Sequence, residues 1–213
     1  MNKKILVLGE NPPISYLSAL KRVSLDYDCK FLPEDYSAYG GLLLTGGGDV
    51  LPYYYGKSLN AENVNFIRDH AEFKALKYFT EHSLPIFGVC RGLQVLNVFF
   101  GGTLKCVKGH FKKDEEIKHG ITNLLPLPFP FIAVNSYHLQ AIDKTGEGGK
   151  VLLTAPDGVI EAVSFNGYAS GVQFHPEKAD EKFSDFFYGA FAEKVKRVFP
   201  KRKEAPLSLW LFP

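Results

Sequence analysis

The chain has 213 residues, enough for one α/β domain with a real core and too few for two full-sized domains. It is 46% hydrophobic and 23% charged with a net charge of +2, an ordinary globular balance that argues against a nucleic-acid-binding surface. The three cysteines, Cys29, Cys90 and Cys106, are odd in number and lack CxxC spacing, which argues against a disulfide scaffold or a cysteine zinc site and fits reduced thiols in the cytoplasm.

In chain order, the apolar run Ile5 to Leu8 predicts a buried first strand, too short for a signal peptide or a membrane span. Tyr16 to Leu25 predicts a helix, Cys29 to Leu32 a weak strand and Gly41 to Thr45 a strong one. Asn63 to His82 predicts a long helix with Phe66, Phe73, Leu76 and Phe79 on one face. Pro85 to Val89 reads as a strand and Gly92 to Phe100 as a helix ended by Gly101-Gly102, because glycine accepts the left-handed conformation. Lys105 to Pro130 reads as a charged, then proline-rich loop. Strands are expected at Phe131 to Val134, Val151 to Thr154, Ile160 to Phe165 and Ser170 to Phe174. A last helix is expected from Glu181 to Val198, with Phe183, Phe187, Ala190 and Val195 as its apolar face. The alternation predicts an α/β fold, with a mostly parallel central sheet, helices on both faces and extra strands in the C-terminal half. A single domain over 1–200 is expected, followed by a partly apolar tail at 201–213 that folds back on its own subunit or docks on a partner, the first being favoured.

Three pieces carry chemistry. Cys90 ends an apolar strand and begins a helix, between Gly88 and Gly92. The macrodipole and free N–H groups of a helix N-terminus favour a thiolate, and flanking glycines suit the sharp bend of a nucleophile elbow. A lone cysteine is more often a buried structural residue, which is the expectation for Cys29 and Cys106. His175 follows a strand, and Glu177 lies two residues on, within reach of the far ring nitrogen to fix its tautomer. His175 can take the thiol proton and later activate water. Thr45-Gly46-Gly47-Gly48-Asp49 ends another strand with amides that a ligand can approach closely, and with the Arg91 N–H they can bind an oxyanion. The spacing matches neither phosphate-loop pattern.

In this order, the Gly-Gly loop, Gly88-Val89-Cys90-Arg91-Gly92-Leu93-Gln94 and Gln173-Phe174-His175-Pro176-Glu177 resemble the class I glutamine amidotransferases, which have a flavodoxin-like architecture. Within that superfamily the chain is more similar to the γ-glutamyl hydrolase, or peptidase C26, branch. The matching features are Thr45 to Pro52 with Tyr55-Gly56, Arg68-Asp69 with Glu72, Arg91, Gly101 to Leu104, Val134 to His138 and Pro156 to Ala162. The resemblance implies Cys90 as nucleophile, His175 as base, Glu177 as its orienter, and Gly47 and Arg91 as oxyanion donors. It implies Gln94, backbone around Ser136 and Tyr137, and Gln173 as contacts to the glutamyl group. It implies no metal or organic cofactor. Relatives often carry two histidines where this chain has His138-Leu139, and His138 is expected to be structural.

The expected partner is a small-molecule γ-glutamyl substrate, and a homodimer is compatible with the chain. Known members of the branch act on polyglutamyl folates, on γ-glutamyl-aminobutyrate, and on a γ-glutamyl-phosphoramidate carried on cytidine nucleotide (γ-glutamyl-CDP-amidate) in capsule modification. Lys105, Lys108, His110, Lys112 and Lys113 read first as a solvated loop and second as a basic rim for an anionic leaving group, which favours the last substrate. Two rival readings accompany the hydrolase: a glutaminase subunit delivering ammonia to a synthase, and a binding protein that retains the fold without the chemistry.

Overall fold

In the computed structural model, described over residues 3–9, 11–57, 61–112, 116–123 and 133–199, strand C-termini and helix N-termini meet along one edge of a twisted sheet. The strands of the N-terminal half are β1 (Lys4–Leu8), β2 (Tyr27–Lys30), β3 (Tyr39–Leu44) and β4 (Ile86–Val89). They join β7 (Thr122–Asn123), β10 (Gly149–Thr154), β11 (Ile160–Phe165) and β12 (Ala169–Val172) in the order β2-β1-β3-β4-β12-β11-β10-β7. Pairing is parallel from β2 to β12 and antiparallel from β12 to β7. The mostly parallel α/β sheet with a strand-rich C-terminal half is therefore as expected.

Alternation in β1 sorts the core into two layers. Ile5 and Val7 pack with Tyr16, Ala19 and Leu20 of α1 (Ile14–Arg22) and with Phe183, Tyr188 and Phe191 of α4 (Glu181–Val198). Leu6 and Leu8 pack with Ala75, Leu76 and Phe79 of α2 (Phe66–Glu81) and with Leu93 and Leu96 of α3 (Arg91–Phe99). Both faces of β3 are buried, so it reads as an unbroken apolar run. The Asn65 carboxamide accepts the Arg68 N–H at 3.0 Å and starts α2, three residues after the predicted Asn63. Asp180 caps α4 in the same way through the Phe183 N–H. Gly101, with φ +81°, ends α3 in the left-handed conformation that glycine adopts without penalty.

Several expectations are corrected. The segment read as a loop, Lys105 to Pro130, contains the end of β5 (Thr103–Cys106) and all of β6 (Ile117–Gly120), besides β7. β5 pairs with β9 (Gln140–Lys144), a strand that the apolar pattern does not mark, and β6 pairs with β8 (Ala133–Ser136). Each pair is a short, separate two-stranded sheet whose charged, exposed positions hide its alternation. Ala190 is exposed, and the buried face of α4 runs instead through Tyr188, Phe191 and Ala192. Phe66 is exposed at the first turn of α2. Cys106 is exposed at the end of β5, and Cys29 is only partly buried. The 201–213 tail, Lys113 and Phe131–Ile132 lie outside the described residues. Among the described residues, no helix is long and apolar enough to cross a membrane.

Candidate active site

The three chemical pieces sit at the carboxyl ends of three adjacent strands, β3, β4 and β12, where open α/β sheets present their ligand sites. Cys90 follows β4 with φ 54° and ψ −108°, a strained conformation for a residue with a Cβ. Its N–H is held by the Val172 carbonyl at 2.8 Å. A Cβ on Gly88 would collide with the backbone of Gly92, and one on Gly92 with the backbone of Leu44. The bend therefore needs both glycines. Arg91 is the first residue of α3, so its N–H is one of the helix-start donors without an intrahelical acceptor.

His175 leaves β12 and opens the short 3₁₀ turn Pro176–Lys178. That turn brings Glu177 Oε1 to 2.7 Å from His175 Nδ1. Burial pulls the imidazole down, but hydrogen bonds and charge from Cys90 and Glu177 outweigh it and raise His175 to about 9. The arrangement can hold a proton on His175 beside the sulfur, with the tautomer fixed by the carboxylate.

A cleft of about 510 Å³ opens over these residues. Its walls include Gly46, Gly47, Cys90, Arg91, Gln94, Tyr137, His138, Gln140 and His175, with Asp49, Glu62 and Lys178 as charged groups. The cleft thus brings together Cys90, His175, Gly47, Arg91, Gln94 and Tyr137. Ser136 and Gln173, the other two expected contacts, lie outside its lining. The Ser136 hydroxyl is buried between His110 and His138, at 3.0 and 3.1 Å. Gln173 lies behind the nucleophile, where its amide donates to Cys90 Sγ at 3.6 Å and accepts from Gln94 at 3.2 Å. His110 also leaves the proposed basic rim, because it is buried and bonded to Ser136 and Asp157.

A buried ion network backs the glycine loop. Arg91 pairs with both Asp69 and Glu72, and Arg68 pairs with Glu72 at 2.9 Å. Arg68 also donates to the Thr45 carbonyl at 2.9 Å and to its hydroxyl at 3.1 Å. Its guanidinium lies where a Cβ on Gly47 would sit. At His138, burial, then the neighbouring His110, press the ring down to about 3, and Nδ1 is 3.0 Å from the Gln140 carbonyl.

Two positioning residues gain a role only in three dimensions. The Asn135 carboxamide grips the His175 backbone twice, donating to its carbonyl and accepting its N–H, both at 2.8 Å. The Tyr16 hydroxyl accepts the Gly46 N–H at 3.0 Å and lies 3.3 Å from His175 Nδ1, bridging the loop and the base. Burial, then the Glu177 charge, raises its phenol far above the usual range, so it stays protonated. Asn135 lies within a matching motif, whereas nothing local in the sequence marks Tyr16.

Comparison with known proteins gives the family and the fold. The family model described as Peptidase C26 matches residues 34–177. The glutamine amidotransferase-like protein YvdE of Lactococcus lactis is 36% identical over 156 residues, covering 64% of this chain and 65% of that protein. The γ-glutamyl-γ-aminobutyrate hydrolase PuuD of Escherichia coli is 30% identical over 161 residues, covering 64% of this chain and 63% of that protein. The chain therefore spans less than two thirds of the length of these curated relatives. A solved structure of a glutamine amidotransferase from Thermotoga maritima superposes with a TM-score of 0.64 at 16% identity, over 93% of this chain and 95% of that one. That likeness speaks for the fold. With the family match spanning the glycine loop, the cysteine elbow and the His-Pro-Glu turn, the chain belongs to the peptidase C26 family.

Proposed function

We propose that this protein hydrolyses a γ-glutamyl amide bond. Cys90 Sγ attacks the γ-carbonyl carbon, and the N–H groups of Gly47 and Arg91 receive the developing oxyanion. His175 gives its proton to the departing amine, which leaves a γ-glutamyl thioester on Cys90. Water, deprotonated by His175, then attacks the thioester carbon and releases glutamate and the thiol. Glu177 keeps Nδ1 protonated so that the other ring nitrogen serves the reaction. Gln94 and Tyr137 contact the glutamyl group.

The observation that carries this reading is the convergence of the Cys90 elbow, the His175–Glu177 pair and the Gly46–Gly48 loop on one cleft. The likeness to PuuD, named a γ-glutamyl-γ-aminobutyrate hydrolase, supports the bond type. For the leaving group, the reading extends to the phosphoramidate carried on cytidine nucleotide. The segment that supplies Phe111 to the cleft wall carries exposed Lys105 and Lys108, and Lys178 lies at the mouth. The cytoplasm is the proposed compartment.

The test is glutamate release from glutamine, γ-glutamyl-aminobutyrate, a γ-glutamyl oligomer and a γ-glutamyl-phosphoramidate nucleotide, by wild type and Cys90→Ala. Fast release from one amide, abolished by the substitution, is expected. Slow cleavage of glutamine alone, accelerated by a synthase partner, would replace the hydrolase with an ammonia-delivering glutaminase subunit.

A further inference from the structure

Behind the cleft wall, three imidazoles converge on one buried carboxylate. His110 comes from the segment after β5, His119 from β6, His138 from between β8 and β9, and Glu161 from β11. Glu161 Oε1 lies 3.8 Å from His110 Nδ1, 3.4 Å from His119 Nε2 and 3.8 Å from His138 Nε2. Those separations exceed a good N–H···O hydrogen bond. Glu161 is fully buried, and among the described residues neither of its oxygens nor His119 Nε2 has a hydrogen-bond partner. An unpaired buried carboxylate is costly enough to need an explanation.

The outward nitrogens supply one. His110 Nε2 is 3.0 Å from the Asp157 carboxylate, His119 Nδ1 is 3.0 Å from the Gly120 carbonyl, and His138 Nδ1 is 3.0 Å from the Gln140 carbonyl. All three partners are acceptors, so each outer nitrogen carries the ring proton. In neutral rings, the inner nitrogens then present lone pairs toward a carboxylate that also presents lone pairs. The Ser136 hydroxyl beside His110 and His138 has a single hydrogen and hydrogen-bonds the His110 carbonyl at 3.0 Å. One shared proton, between His119 and Glu161, would satisfy one of these contacts and leave the other two.

We propose that His110 Nδ1, His119 Nε2 and Glu161 hold a Zn²⁺-class divalent cation, with His138 Nε2 facing the fourth position. The ligand atoms of the first three residues all lie within 4.8 Å of one another. Metal–ligand bonds of about 2.0–2.1 Å in a tetrahedron place ligand atoms roughly 3.3–3.4 Å apart. The two contacts to Glu161, at 3.8 and 3.4 Å, are already close to that spacing, and binding draws the widest pair of ligand atoms together by up to about 1.5 Å. Imidazole and carboxylate donors suit zinc, and the outer partners supply the hydrogen bonds that orient metal-ligating histidines. The ion ties the β6–β8 sheet and the segment after β5 to the main sheet. Asn135 and Tyr137, which flank the cluster residue Ser136, reach the His175 backbone and Cys90. This site is structural and stands independently of the hydrolase reading.

The test titrates the untagged, chelator-treated full chain with Co²⁺ and then displaces it with Zn²⁺. One ion per chain is expected, with the visible bands of tetrahedral Co²⁺ and a higher melting temperature. The same binding is expected in Cys90→Ala, which excludes the thiol as the ligand. His119→Gln should abolish binding. Asp157→Asn, at a half-exposed position that does not threaten folding, should weaken it about 10–100-fold. Absence of saturable binding by folded wild type overturns the proposal, and so does wild-type affinity in both variants.

Discussion

Glu72→Gln is the most informative single change to the scaffold. Glu72 and Asp69 are fully buried, Arg91 is 2% exposed and Arg68 21% exposed, so two cations balance two carboxylates almost out of water. The substitution keeps the shape of Glu72 and removes one charge. Arg68 and Arg91 are then left with only Asp69 between them. Breaking a buried pair from one side costs about 3–5 kcal/mol, because the remaining charge is uncompensated. That is a large share of the roughly 5–15 kcal/mol by which a domain is stable. With a urea slope of about 2–3 kcal/mol/M, the unfolding midpoint should fall by roughly 1–2 M. Turnover should fall as well, since Arg68 braces Thr45 and the Gly47 backbone. The double change Glu72→Met/Arg91→Met removes both members of a pair and should cost less than the sum of the single changes. A midpoint shift below about 0.3 M for Glu72→Gln, with turnover unchanged, would refute the network as the support of the loop.

The base makes a pH prediction. The folded His175 is raised from 6.5 to about 9, so its contribution to stability is full below pH 6.5 and is lost as pH rises through 9. Melting temperatures of wild type minus His175→Gln should converge between pH 6.5 and 9, and turnover should fall above pH 9 as the acid for the leaving amine is lost. A constant difference across that range would contradict the assignment. Asn135→Ala removes both anchors of the His175 backbone and should lower kcat at least about tenfold with KM little changed, read by steady-state kinetics. Tyr16→Phe leaves the Gly46 N–H without its acceptor and should cost about 1–3 kcal/mol in denaturant unfolding. Gly92→Ala drives a methyl into the Leu44 backbone and should cost at least about 1–3 kcal/mol, seen as a lower melting temperature.

How legible each part was depends on how local its cause is. The Cys90 elbow is readable because its determinants, Gly88 and Gly92, lie within two residues of it. The His175–Glu177 contact is readable because one turn creates it. β11 and α4 have the expected bounds, since local signals delimit them: Gly158 and Asn166-Gly167, all with positive φ, bracket β11, and Asp180 caps α4. β5 and β9 escaped because their partners lie far apart in the chain and their exposed positions are charged. The exposure of Cys106 follows from the same edge position. The His110–His119–His138–Glu161 cluster draws on four separate segments, so no spacing rule marks it.

The two walls of the cleft are held by different physics. On the nucleophile side, charge fixes the backbone: the arginine–carboxylate network locks the starts of α2 and α3 against the glycine loop. On the base side, neutral hydrogen bonds hold the backbone, through Asn135 on His175 and through the Gln140 carbonyl shared by Gln94 and His138, and charge enters only in the His175–Glu177 side-chain pair. Charge–charge coupling in a buried network is strong and intolerant of single changes, whereas each neutral bond contributes only about 0.5–1.5 kcal/mol. The base wall is therefore the softer one. It is also the wall beside the histidine–carboxylate cluster, so anything bound there acts first on the placement of His175 and Tyr137 and only through them on Cys90.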